Sequence, residues 1–240
     1  TERRPSFGRG GAASAPAITG PTSSRTGDGL VGVTRRPSTG WIIPVGLATC
    51  YVLLALAVHL RMLDPLDTAV RSASHNGEVW GPVQIRAAHV VDLLQPAHLA
   101  LPLLLLVAAL SVVRRSLRPF GVMAVVGVPV IIVTLGTKWV MAHTETDATP
   151  VAHGSFPSGH TVSVLVVFGL ASLLLRSSTR WGWTLPAVMG CLMGSALILA
   201  WVHPATDVMG AGLLAVAALA CARAAGLGHW ASDHQGRTVG

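Results

Sequence analysis

Apolar runs of bilayer-spanning length recur along the chain, each bounded by charge, proline or glycine. A helix needs about 20 apolar residues to cross the hydrocarbon of a membrane. Six runs meet or approach that length: 41–60 (WIIPVGLATCYVLLALAVHL), about 97–113, about 120–142, 161–175, about 183–202 and about 208–225. The fourth is short, so its first turn is expected to take in Ser158 to His160. The pattern predicts an all-α, six-transmembrane helical bundle with both termini on one side. Between the first two runs, LDPLDTAVRSAS and GPVQIRAAHVVDLLQ place apolar residues as short amphipathic helices do. These are expected to lie against the membrane and cap one face of the bundle.

Composition agrees with a membrane setting. Of the 240 residues, 51% are hydrophobic and only 11% charged, whereas a soluble domain is about 25% charged. Mean hydropathy is +0.60. Lys and Arg near span ends are retained in the cytoplasm, so their distribution orients the bundle. The N-terminal segment carries Arg3, Arg4, Arg9, Arg25, Arg35 and Arg36; the second connection has Arg114, Arg115 and Arg118, the fourth Arg176 and Arg180, and the C-terminal segment Arg223 and Arg237. In a six-span chain all four segments share one side. On the other side, Asp64, Asp67, Glu78 and Asp92 offset Arg61, Arg71 and Arg86, and 143–159 carries Glu145 and Asp147. The termini are therefore expected in the cytoplasm and the acidic connections outside a cell membrane.

Read this way, the net charge of +7 reflects topology and attraction to anionic lipid. Basic residues are not interleaved with aromatics, so no nucleic-acid partner is expected. Residues 1–40 are rich in Gly, Ser, Thr, Pro, Ala and Arg without periodicity, which predicts a disordered basic cytoplasmic tail. Residues 41–226 form the six-span membrane domain and 227–240 a C-terminal cytoplasmic tail. The first run is long and no small-residue cleavage site follows it, so it is expected to stay as an anchor. Cys50, Cys191 and Cys221 fall within predicted spans, are odd in number and lack metal-type spacing. They are expected to be small buried hydrophobes, with no disulfide framework and no zinc site.

Ionisable groups within or at the ends of spans are costly and point to function. Here they gather at one face. Lys138 is near the outer end of the third run, His160 opens the fourth, His203 closes the fifth and Asp207 opens the sixth. In SFPSGHTVSV, a proline and a glycine ahead of an apolar run set up a helix N-terminus whose free N–H groups suit an anion. His160 stands beside that position, where an imidazole can protonate a leaving oxygen. In AWVHPATDVMGAG, Pro204 ends the fifth run and Asp207 follows within reach of His203. A carboxylate that holds one ring nitrogen as N–H leaves the other free to attack. Taken singly, Lys138 also reads as a snorkelling lysine, His160 as an interfacial residue, His203 as a helix-end histidine and Asp207 as an N-cap. The joint placement favours chemistry.

These residues resemble the type 2 phosphatidic acid phosphatase superfamily, integral-membrane lipid phosphatases related to vanadium haloperoxidases. The family's second motif, PSGH, is intact as Pro157, Ser158, Gly159 and His160. The HxxxD core of its third motif is His203 and Asp207, and Lys138 matches the lysine that opens the first. The likeness runs over roughly residues 60–225. By resemblance, Lys138, Ser158 and Gly159 bind the substrate phosphate, His160 is the general acid, and His203 is the nucleophile oriented by Asp207. The resemblance implies a helical bundle with its active site at the outward membrane surface, no metal or other cofactor, and a membrane lipid phosphate or diphosphate as substrate: phosphatidate, phosphatidylglycerol phosphate or a polyprenyl carrier.

Two family arginines are replaced. The first motif ends in Arg-Pro, where this chain has Glu145 and Thr146. The third begins Ser-Arg, where it has Ala196 and Leu197. Arginine is suited to bidentate phosphate recognition. Its loss leaves Lys138, the amides around Ser158 to His160, and His143, His153 or a loop arginine such as Arg86 to compensate. The alternative reading is a catalytically weak or inactive family member that binds a lipid head group or a membrane partner.

Overall fold

The computed structural model describes residues 39–74, 80–144, 155–175 and 181–231. All of their regular structure is helical. After a 3₁₀ turn at Thr39–Trp41 come α1 (Ile42–His59), α2 (Asp64–Ser74), α3 (Pro82–Leu93), α4 (Pro96–Val113), α5 (Arg118–Thr144), α6 (Gly159–Leu174), α7 (Trp181–Leu199), α8 (Ala205–Ala224) and α9 (Leu227–Trp230). Among the described residues, five helical stretches are long and apolar enough to cross a membrane: Ile42–His59, Pro82–Val113 (which holds α4), Arg118–Ala142, Gly182–Leu199 and Ala205–Ala224. The remaining apolar helix, α6, has only 16 residues.

α6 is the centre of the bundle. It packs against α4, α5, α7 and α8, and Val162, Val164, Leu165, Val166, Leu170, Leu173 and Leu174 are all buried. A helix that is apolar all round belongs in such a core. By contrast α1 and α5 turn Ile42, Ile43, Val45, Val52, Leu53, Val128, Ile131 and Ile132 outward. For these side chains lipid is the solvent, so exposure carries no hydrophobic cost. The same reasoning corrects the expectation for the cysteines. Cys50 and Cys191 are exposed and Cys221 is partly exposed. Small apolar groups in a lipid-facing surface need not be buried against protein.

The connection after α1 forms the two expected short helices. α3 buries Ala87 and Val91 in a cluster with Leu94, Leu99, Ala196, Leu197 and Ala200, which joins it to α7. α2 buries none of its residues and touches α7 and α8. At the opposite end of α6, Arg114 donates to the Leu174 carbonyl at 2.8 Å and to the Ala231 carbonyl at 3.3 Å. This satisfies carbonyls that a helix C-terminus leaves open. Arg118 donates to the Trp230 carbonyl at 3.0 Å, with its guanidinium carbon 5.3 Å from the Trp230 ring centroid. Residues 227–231, expected as the start of a tail, are thus packed on the bundle, with Ala231 buried. The expectation of a disordered tail over 1–40 falls almost wholly on residues outside those described.

Two helix boundaries differ from the apolar pattern at one consequential place. α7 ends at Leu199 and α8 begins at Ala205 with Pro204 as its N-cap. His203 therefore lies in the turn between the helices, and Asp207 lies inside the first turn of α8. The turn closes α7 by hydrogen bonds from Trp201 N–H to Ile198 O at 3.2 Å and from Val202 N–H to Leu197 O at 2.9 Å. Trp201 takes the left-handed conformation, φ 57°. This is the Schellman arrangement, in which a residue at positive φ lets the chain reverse at a helix end. Glycine takes that place more often; here a tryptophan does.

Candidate active site

At the N-terminal end of α6, two connections meet. The first, 155–158, leads into α6 through a cis Phe156–Pro157 peptide. Phe156 is fully buried and stacks on Tyr51 of α1, ring centroids 5.9 Å apart. Tyr51 in turn shares a 2.9 Å hydroxyl hydrogen bond with Thr137 of α5. On the other side of the Phe156 ring is Gly210 of α8, where a Cβ would stand 2.4 Å from two ring atoms. Only glycine lets α8 approach the ring so closely. Phe156 thus fixes the loop that carries Ser155 and Ser158 against three helices.

Four interactions draw the polar residues together above that ring. Lys138 Nζ donates to the Ser155 carbonyl at 2.8 Å. The Ser155 hydroxyl donates to Asp207 Oδ2. Ser158 N–H donates to the Asp207 carbonyl at 3.1 Å. His203 Nδ1 lies 2.8 Å from the same Asp207 Oδ2. Asp207 is 2% exposed, so its carboxylate relies on these partners. A carboxylate accepts and does not donate, so Nδ1 carries the ring hydrogen and Nε2 keeps the lone pair. The His160 and His203 rings then face each other edge-on, centroids 6.2 Å apart and planes at 63°.

The expected site residues lie in this cluster or beside it. The Ser158 amide is engaged by the Asp207 carbonyl, and its hydroxyl, fully buried, accepts from Thr161 N–H at 3.4 Å as the N-cap of α6 and keeps its O–H to donate. The first free turn of a helix supplies donors only where no cap has used them. Gly159 and His160 remain to offer amides. Ser155, quoted only as a flanking residue, emerges as the link between Lys138 and Asp207. Nothing in its sequence position signals that role, because the link depends on a loop folding back over α8.

One of the two departures from the resembled motifs lies among the described residues. Leu197 is 0% exposed, packed among Ala87, Val91, Leu94, Leu99 and Met193, and Ala196 is buried beside it. The other replacement, Glu145 and Thr146, and the side chains of His143 and His153 lie outside the described residues. Arg86 donates from Nε to the Pro82 carbonyl of its own helix at 3.3 Å. Its link is therefore to α3 and not to the His–Asp turn.

Comparison of the sequence with protein-family models and with curated proteins gives no match. Among solved structures, the chain is similar to the crystal structure of the transmembrane PAP2 type phosphatidylglycerolphosphate phosphatase from Bacillus subtilis. The TM-score is 0.62 at 20% identity, with 78% of this chain and 96% of that chain covered. The chain therefore has the fold of a transmembrane PAP2 phosphatase, and it is a multi-pass membrane protein.

Proposed function

We propose that the protein is a phosphatase of lipid phosphates or diphosphates that works through a phosphohistidine intermediate without a metal. The observation that carries this reading is the buried Asp207 carboxylate on His203 Nδ1, with the His160 ring opposite. His203 Nε2 attacks phosphorus, forming a P–N bond as the bond to the lipid oxygen breaks. Protonated His160 gives its proton to that oxygen, so the lipid leaves as a neutral alcohol, or as a monophosphate when the substrate is a diphosphate. Water then attacks phosphorus, His160 takes its proton, and the P–N bond breaks to release phosphate. Asp207 orients the ring and stabilises the positive charge that it gains on attack. Lys138 and the amides of Gly159 and His160 offset charge on the phosphoryl oxygens.

The site stands at the end of α6 opposite Arg114 and Arg118. Retention of arginine-rich span ends in the cytoplasm supports a six-span reading in which the site faces outward from a cell membrane. Phosphatidylglycerol phosphate, the substrate class named for the similar structure, joins phosphatidate and polyprenyl carriers as candidates. The alternative, an inactive head-group-binding protein, is favoured by one observation, the apolar burial of Ala196 and Leu197 where the family has Ser-Arg.

The deciding assay is phosphate release by detergent-purified protein from phosphatidate, phosphatidylglycerol phosphate, polyprenyl phosphate and polyprenyl diphosphate in the presence of a metal chelator. Release from at least one lipid, unchanged by the chelator, is expected. Binding of these lipids with no release from any would instead support the head-group-binding reading.

A further inference from the structure

The phosphate chemistry proposed above needs a strong planar donor, and the positions that supply one in the family do not do so here. α2 brings another. Two residues one helical turn apart on α2 reach the turn that carries His203. Asp67 Oδ1 accepts from Thr206 N–H at 3.0 Å, and its Oδ2 accepts from the Thr206 hydroxyl at 2.6 Å. Thr206 is buried and directly precedes Asp207. Four residues further along α2, the Arg71 guanidinium carbon lies 4.7 Å from the centroid of the Trp201 ring. Residues i and i+4 share one face of a helix. That face of α2 therefore covers 201–206, with His203 between its two points of attachment.

A guanidinium held over an aromatic ring by a cation–π contact still has N–H groups to offer a ligand, and its fork matches phosphate oxygens. Arg71 is exposed, so lipid head groups can reach it. Lys138, by contrast, is a point charge without the planar fork, with one of its three N–H groups on the Ser155 carbonyl. Arg61 lies beyond the last turn of α1 and Arg86 is bonded within α3.

We propose that Arg71 binds the phosphate head group of the substrate, in place of the family's motif arginines, and that the Asp67–Thr206 hydrogen bonds hold α2 so that it does. This inference rests on the reading of the site as one for a lipid phosphate. It makes α2 part of the substrate site, and it makes Asp67 a positioning residue that acts through Thr206 and through the placement of Arg71.

The test uses full-length protein in detergent, with phosphatidate and diacylglycerol as probes that differ only by the phosphate. In the turnover series, Arg71→Gln is expected to lower kcat/KM for phosphatidate about 10- to 100-fold, the loss of one charge-assisted hydrogen-bonding group. Arg71→Lys, which keeps charge and stem over Trp201 but not the fork, is expected to fall between the two and serves as the folded control. In a His203→Ala background, where binding is read without turnover, Arg71→Gln is expected to weaken phosphatidate about tenfold or more and to leave diacylglycerol unchanged. Equal phosphatidate affinity with and without Arg71 would overturn the proposal, as would equal weakening of both lipids, which marks a membrane anchor, or a parent protein that does not bind phosphatidate. Absent turnover in the parent, with phosphatidate binding that still depends on Arg71, would reject the phosphatase reading and keep the assignment of Arg71.

Discussion

His203→Ala is expected to lower phosphate release by at least about 10³-fold, the scale on which loss of a nucleophile acts, while the bundle stays folded. The separation of the two effects follows from where the residue stands. His203 is in the α7–α8 turn, outside both helices, and the bonds that close α7, from Trp201, Val202 and the His203 N–H, are backbone bonds that an alanine keeps. Asp207 keeps the Ser155 hydroxyl and its place in the first turn of α8. The side chain is largely buried against Asp207 Oδ2, so a modest drop in the unfolding midpoint accompanies the loss of chemistry, which has no substitute because the opposed His160 ring lacks a carboxylate partner among the described residues. Activity of the purified variant, set beside its thermal unfolding midpoint, checks both halves. Retained turnover would exclude His203 as the nucleophile.

Leu197→Arg, which introduces the arginine of the resembled motif, is expected to destabilise the protein instead of activating it. A guanidinium needs a polar pocket, whereas Leu197 packs in an apolar cluster of α3, α4, α6 and α7 residues. An unpaired charge there costs about 3 kcal/mol or more, enough to lower the unfolding midpoint by about 6–12 °C in a domain of this size. The carbonyl of Leu197 also accepts the bond that closes α7 ahead of His203, so repacking at this position disturbs the turn that carries His203. Thermal unfolding in detergent, read with phosphate release, decides the matter. A variant as stable as its parent and more active would show that position 197 opens onto the phosphate.

What the sequence disclosed and what it hid divide along the range of the interactions. Apolar run length marked the helices, since lipid tolerates exposed apolar side chains and excludes charged ones. The His203–Asp207 pair was legible because its partners are four residues apart, and Pro204 marked the turn that brings them together. The N-cap role of Ser158 was obscured because the same residues that suit an anion also cap a helix, and only the position of the Asp207 carbonyl shows where the amide goes. The α2 attachment was beyond sequence reasoning. Asp67 and Thr206 are separated by 139 positions, and an aspartate in a short amphipathic helix reads as a solvated charge. Arg86 was the loop arginine considered; Arg71 is the one that the fold carries to the His–Asp turn.

The central claim is a covalent bond between phosphorus and His203. It is tested most directly by mixing the protein with phosphatidate labelled at phosphorus, quenching in alkali during turnover, and mapping the protein-bound label by mass spectrometry. The account predicts an acid-labile, alkali-stable label on the peptide that contains His203, absent from His203→Ala. Turnover at full rate with no label on that residue under the same quench, or with label on another side chain, would contradict it.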